Sequence, residues 1–216
     1  MSNSVTDKSD KIKTLKLMLI GEAAVGKSSI MYRYTMNSFK LNMLGTAGID
    51  FKKKEVEIDD NKIKIILYDT AGHDRFRKIM KNHCKGANGI VLVYDIGEEK
   101  SIERLSSWMN DIKENSDPDV EVILVGNKAD ITQRKVTEQE GLELSMKFNI
   151  PIIETSAKTG QNVEEAFNIL IKKILTKEKV EILKTSESKE DVKIKQIKSL
   201  PGKKKDDQDG CKCIIF

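Results

Sequence analysis

The chain has 216 residues, 38% of them hydrophobic and 33% charged, with a formal net charge of +4 at pH 7. That length allows one sizeable core with residues left over at the ends, and so small a charge, interspersed with Asp and Glu, excludes the basic footprint of a nucleic-acid binder. No apolar run approaches the ~18 residues of a spanning helix, the polar start MSNSVTDKSDK lacks a signal-peptide core, and Cys84, Cys211 and Cys213 are too few for a disulfide framework or a four-ligand zinc site, so a cytosolic product is expected.

Residues 1–14 lack apolar periodicity and read as a disordered leader. KLMLI, Lys16 to Ile20, is a short apolar run that ends in a glycine-rich turn, and SIMYRYTMN after it suits a helix. GIDFKKKEVEID and KIKIILYD alternate apolar with polar residues around Asp60 and Asn61, which predicts a β-hairpin. Apolar runs then alternate with helical stretches: GIVLVYD, SIERLSSWMNDIKEN, VEVILVGN, TEQEGLELSMKFN, PIIETSA and NVEEAFNILIKKIL. Strands separated by helices of this length need right-handed crossovers and a largely parallel sheet covered on both faces. The expected fold is a doubly wound α/β domain over residues 15–176. From Lys177 onward the chain holds 11 basic and 8 acidic residues without a dependable pattern; it is expected to be a flexible tail, residues 177–216, carrying most of the basic excess.

Three segments carry chemistry. GEAAVGKS, Gly21 to Ser28, has Walker A spacing after a strand and before a helix, the context in which a tight loop aims backbone N–H groups at phosphate oxygens, Lys27 bridges terminal phosphates and Ser28 binds Mg²⁺. NKAD, Asn127 to Asp130, closes a strand on the rim where open α/β sheets bind ligands; a carboxylate there can accept from N1 and the 2-amino group of guanine, donors adenine lacks. SAK, Ser156 to Lys158, closes another strand, and its backbone can meet the guanine oxygen. Loop composition alone explains any one of these, but not all three on one rim in this order.

GEAAVGKS, TAGIDF, DTAGHDRF, NKAD and SAK together resemble the five nucleotide-binding segments of Ras-superfamily small GTPases, from about Leu15 to Leu175, and GIDF, DRFR, NGIVLVYDI and the cysteine-containing end look most like the Rab branch. The resemblance implies a P-loop NTPase (G domain) fold, a six-stranded mostly parallel sheet with one antiparallel edge strand and helices on both faces. It implies GTP/GDP contacts from Gly21, Glu22, Ala23, Ala24, Val25, Gly26, Lys27, Ser28 and Ser29 and from Phe39, Thr46, Asp69 and Gly72. The base end would use Asn127, Lys128, Asp130, Ser156, Ala157 and Lys158. Ser28 and Thr46 become direct Mg²⁺ ligands and Asp69 a ligand through water; Gly72 would meet the γ-phosphate, and Phe39 would lie against guanine unless it is a core aromatic. The implied activity is slow GTP hydrolysis in a switch of vesicle trafficking. The implied partners are an exchange factor, an activating protein, a GDP-dissociation inhibitor or escort, and GTP-state effectors, acting on a monomer at the cytoplasmic face of an intracellular membrane, with a cytosolic pool.

Several residues depart from the family pattern. Ala23 and Ala24 replace small residues of the commoner phosphate loop, and Met43 stands where many Rabs have a tyrosine. The effector-face triad becomes Phe51, Tyr68 and His83, with Tyr68 in place of a tryptophan. His73 occupies the position of the water-orienting glutamine. A neutral imidazole has one donor and one acceptor pointing apart across a rigid ring, whereas phosphoryl transfer depends mostly on positioning and charge stabilisation, so intrinsic hydrolysis is expected to be slow. General-base catalysis by His73 and a bland solvent-facing histidine are the competing readings.

CKCIIF places Cys213 four residues from the terminus in a C-a-a-X pattern whose final Phe favours geranylgeranyl, and Cys211 is a candidate for a second lipid. One chain anchors marginally, and Asp206, Asp207 and Asp209 weaken the basic Lys203 to Lys205 run, which favours the second lipid. Cys84 and Trp108 read as core residues. The rival readings are a constitutively GTP-bound scaffold, a Ras-type signalling GTPase and a P-loop kinase, against which NKAD and SAK count.

Overall fold

The computed structural model describes residues 12–198 apart from Asn42 and Leu44. Six strands form one sheet in the order β2-β3-β1-β4-β5-β6. They are β1 (Lys13–Gly21), β2 (Ile49–Ile58), β3 (Asn61–Thr70), β4 (Gly89–Asp95), β5 (Glu121–Asn127) and β6 (Ile152–Thr155). All neighbours run parallel except β2, which pairs antiparallel with β3 at the edge. The helices are α1 (Lys27–Met36), α2 (Arg77–Cys84), α3 (Glu99–Glu103), α4 (Leu105–Asn115), α5 (Glu138–Phe148) and α6 (Val163–Lys198).

Two-sided burial follows from the period of the strands. In β1, Leu15, Leu17 and Leu19 join the core under α1 and α6 with Ile30, Met31, Phe167 and Leu170, while Met18 and Ile20 join the opposite core with Met80, Leu105, Trp108 and Ile112. Trp108 and Cys84 are both buried in that second core, as their spacing suggested. No helix among the described residues is long and apolar enough to cross a membrane.

Four boundaries differ from the sequence reading. The first strand starts at Lys13, inside the segment read as leader, because Lys13 and Thr14 pair with Ile63 and Lys64. The hairpin turns on Asp59 and Asp60, with Ile58 opposite Asn61. Both turn residues are left-handed, φ 48° and 61°, the geometry of a two-residue turn that matches the strands' twist, and Asn61 Nδ2 closes it on the Ile58 and Asp59 carbonyls at 3.2 and 2.7 Å. The single helix read over SIERLSSWMNDIKEN is two, interrupted at Arg104, whose ψ of −6° leaves the helical ladder. Finally, α6 continues to Lys198 although the first compact unit ends at Leu175 and the second begins at Thr176. Between Gly160 and Pro201 there is no glycine or proline, and a Lys- and Glu-rich sequence without breakers keeps good helix propensity. Cys211 and Cys213 lie outside the described residues.

The turn makes a stability test. Replacing Asp60 with Gly removes the cost of a left-handed L-residue, partly offset by a freer unfolded chain. The nucleotide-loaded protein is expected to gain about 0.5–1 kcal/mol, a rise of roughly 2–3 °C in a thermal melt. An unchanged or lower midpoint would mean that Asp60 carries a compensating local bond.

Candidate functional site

All five parallel strands end on one rim, and the loops that leave them surround a cavity of about 420 Å³. Its phosphate-loop wall exists because glycines permit approaches that no side chain would. A Cβ on Gly21 would stand 2.2 Å from the Val93 carbonyl oxygen, and one on Gly26, where φ is +96°, would stand 2.3 Å from Asn127 Nδ2. Ala24 sits at φ 62° in the same turn. An alanine there is strained where glycine would not be.

Lys27 opens α1 and is almost fully buried. Its ammonium donates to the Gly21 and Glu22 carbonyls at 2.9 and 2.6 Å. Burial pushes its pKa down to about 8 against the opposing pull of Asp69 and Glu22; an incoming polyphosphate would offset that cost. Beside it, Ser28 Oγ lies 2.8 Å from Thr46 Oγ1, and both hydroxyls reach Asp69 Oδ2, at 2.5 and 2.9 Å. The other oxygen of Asp69 is buried without a partner. Burial raises the Asp69 carboxyl, while the two hydroxyls and Lys27 act in the opposite direction. Two hydroxyls, a carboxylate oxygen and an orphaned second oxygen, all hard donors, are a set that Mg²⁺ accepts. No cluster of three His, Cys, Asp or Glu side chains suited to a metal occurs among the described residues, so an ion here would rely on hydroxyls.

At the opposite end, Ser156 Oγ donates to Asp130 Oδ1 at 2.6 Å and Lys158 Nζ stands 3.3 Å from Asp130 Oδ2. Burial opposes ionisation of Asp130, but these donors outweigh it and hold its carboxyl below the ordinary range. Asn127 is a staple between segments. Its Nδ2 donates to the Val25 carbonyl at 2.8 Å, and its Oδ1 accepts from Thr155 Oγ1 and the Ala157 N–H at 3.3 and 3.2 Å. Lys128, in the left-handed region at φ 71°, pairs with Asp95 at 2.5 Å.

Of the nucleotide- and metal-site residues singled out from the sequence, all line the cavity except Gly21, Glu22, Val25, Asp69 and Ser156. Phe39 both lines the cavity and packs on the core. His73 lines the opening, is exposed, and makes no imidazole hydrogen bond among the described residues. Gly72 is pressed onto the phosphate loop: a Cβ there would stand 2.3 Å from the Glu22 carbonyl carbon. Phe51, Tyr68 and His83 do cluster, with ring centroids 5.8 and 6.4 Å apart in succession.

The sequence reading missed Lys40, Leu41, Gly45 and Ile131 in the wall; only their adjacency to the motifs signalled them. It also missed Arg104, which spans the interrupted helix and the two phosphate-side segments. Arg104 Nε stands 3.0 Å from Glu22 Oε2, and its Nη2 donates to both carboxylate oxygens of Asp74 at 2.7 and 3.0 Å. Below it, Arg77 pairs with Asp111 and stacks 4.3 Å over Trp108, fixing α2 to α4.

A model of the Ras family matches residues 16–176. Over 163 residues the chain is 44% identical to Ras-related protein Rab-8B of Homo sapiens, covering 75% of this chain and 79% of the relative. It is 45% identical to Ras-related protein Rab-13 of Canis lupus familiaris over 163 residues, covering 75% and 80%. Ras-related protein Rab-8 of Diplobatis ommata is 44% identical over the same length, covering 75% and 78%.

Proposed function

The chain belongs to the Ras family as a Rab-like small GTPase, a GTP-hydrolysing switch in membrane trafficking, and on that premise we propose how its own residues bind the nucleotide, hold the ion and set a slow intrinsic clock. Exchange factors, activating proteins, a GDP-dissociation inhibitor and GTP-state effectors come with that membership.

In this reading the backbone of Gly21 to Ser29 and the Lys27 ammonium grip the phosphates, as a glycine turn ahead of a helix N-terminus does. Ser28 and Thr46, both bonded to Asp69, would hold Mg²⁺, which would supply charge neutralisation at the terminal phosphates. Gly72 offers its N–H to the γ-phosphate. Asp130 takes the N1 and 2-amino donors of guanine, the Ala157 N–H is shared between Asn127 Oδ1 and the 6-oxygen, and Phe39 flanks the base. Losing the γ-phosphate then frees Thr46 and Gly72 together, and with them the loops on either side of the Phe51, Tyr68 and His83 surface that partners read. His73 leaves the attacking water without a joint donor and acceptor, so turnover waits for a partner that brings an arginine, worth roughly a thousandfold or more. Lipids on Cys213 and Cys211 anchor the tail to the cytoplasmic face of an intracellular membrane.

The observation that supports this reading best is the arrangement along one cavity: Lys27 with the Ser28, Thr46 and Asp69 triangle at one end, and Asp130 with Ala157 at the other. The test is to identify the nucleotide retained on the purified protein and to compete it. GDP and GTP are expected to displace it, with ADP weaker by about a thousandfold or more because unpaired polar groups reject the wrong base. Chelating divalent ions should speed release. Competition by ADP within tenfold of GDP would overturn the base assignment. Retained GTP would favour the constitutively loaded scaffold, and retained GDP a cycling switch.

A further inference from the structure

We propose that Arg33 is a positioning residue for guanine: from α1 it sets the backbone of the Ser156–Lys158 loop at the base end of the cavity. The proposal rests on the assignment of that loop to the base.

Arg33 lies in the helix that begins with Lys27 and Ser28, yet its side chain crosses to a segment over 120 residues away. Its Nε donates to the Ala157 carbonyl at 2.8 Å and its Nη2 to the Lys158 carbonyl at 2.7 Å. The remaining nitrogen, Nη1, donates to Asn37 O and Oδ1 at 3.1 and 3.0 Å, at the C-cap of its own helix. The fork is thus fixed at both ends. The loop closes over the side chain: Gly160, at φ +93°, would carry a Cβ only 3.6 Å from Arg33 Cδ, and its N–H bonds back to Ser156 O at 2.8 Å.

The consequence is geometric. Ala157 is held through both of the peptide units that flank it: its carbonyl accepts from Arg33, and its N–H donates to Asn127 Oδ1 at 3.2 Å. A planar guanidinium with charge-assisted bonds to two successive carbonyls fixes orientation as well as distance. Because Arg33 stands on the helix that starts at the phosphate loop, the separation between the phosphate grip and the base-reading N–H is set through α1. Lysine, a point charge with no fork, can hold one carbonyl but not both in register.

The test compares GDP with 6-thioguanosine diphosphate, which keeps the N1 and 2-amino donors for Asp130 but replaces the 6-oxygen by a poorer acceptor. Dissociation of both would be followed on the full chain for the wild type, Arg33→Gln, Arg33→Lys and the control Asn37→Gly, which suits the left-handed cap and spares the two loop bonds. The wild type is expected to retain GDP longer than the thio analogue. In Arg33→Gln, GDP release should quicken by about tenfold while the preference over the analogue collapses toward one. Arg33→Lys should fall between, and Asn37→Gly should keep the preference. Equal acceleration of both nucleotides in Arg33→Gln and Arg33→Lys would make Arg33 a merely structural residue and overturn the proposal. A wild type that does not prefer GDP to ADP would defeat the base assignment itself and the proposal with it, an outcome distinct from loss of the Arg33 effect alone.

Discussion

Replacing His73 with Gln is expected to raise single-turnover GTP hydrolysis by roughly tenfold to a hundredfold, somewhat less than the loss usually seen when one aimed donor is removed from a reacting centre. The side chain is exposed at the mouth of the cavity and takes no hydrogen bond among the described residues, so nothing holds its ring over the site of attack. Glutamine carries an acceptor and a donor on one terminal amide, able to hold a water and touch the developing charge together. Nucleotide affinity should be unchanged, because no base or phosphate-loop contact depends on residue 73. A rate that stays level or falls would show that His73 already serves the reaction and that the slow-clock reading is wrong. With an activating partner present, wild type and variant should converge if the partner supplies the missing group.

Gly72→Ala is expected to do the opposite, cutting hydrolysis by about a hundredfold when placed in the His73→Gln background, where the starting rate is easiest to follow. The new methyl would stand 2.3, 2.4 and 2.5 Å from Glu22 C, Ala23 N and Glu22 O, all backbone atoms. Main chain yields poorly, so the segment entering α2 must withdraw from the phosphate loop by roughly an ångström, a misplacement that costs about a hundredfold in a positioned reaction. Arg104, joining Glu22 and Asp74 across the same gap, would be stretched by that withdrawal. GDP release should change less than hydrolysis does, since the base end lies away from the Glu22 and Ala23 backbone that the methyl meets. Undiminished hydrolysis would mean that the two loops part without cost and that Gly72 is not the γ-phosphate sensor.

Much of the site was legible because it is written in local segments. A phosphate loop must follow a strand and open a helix, and Gly21, Lys27 and Ser28 occur in that order within eight residues. NKAD and SAK each close an apolar run, so the alternation of strands and helices brought Asp130 and Ala157 to the same rim before any distance was known. The hairpin was legible too, but its register slipped by one residue, since Asp59, Asp60 and Asn61 all suit a turn and only pairing Ile58 with Asn61 chooses between them.

What the sequence by itself determined is the fold class, the family and most of the segments that line the cavity, because each depends on residue type at short spacing. The tertiary structure alone decided how those segments are joined. Arg33 reaches Ala157 and Lys158, Arg104 joins Glu22 to Asp74, and Asn127 staples Val25 to Ala157 through its side-chain amide. These links connect residues 30 to 125 positions apart with side chains common on any surface. Their meaning comes from packing and from which carbonyl or carboxylate the fold brings within reach, and no local pattern records that.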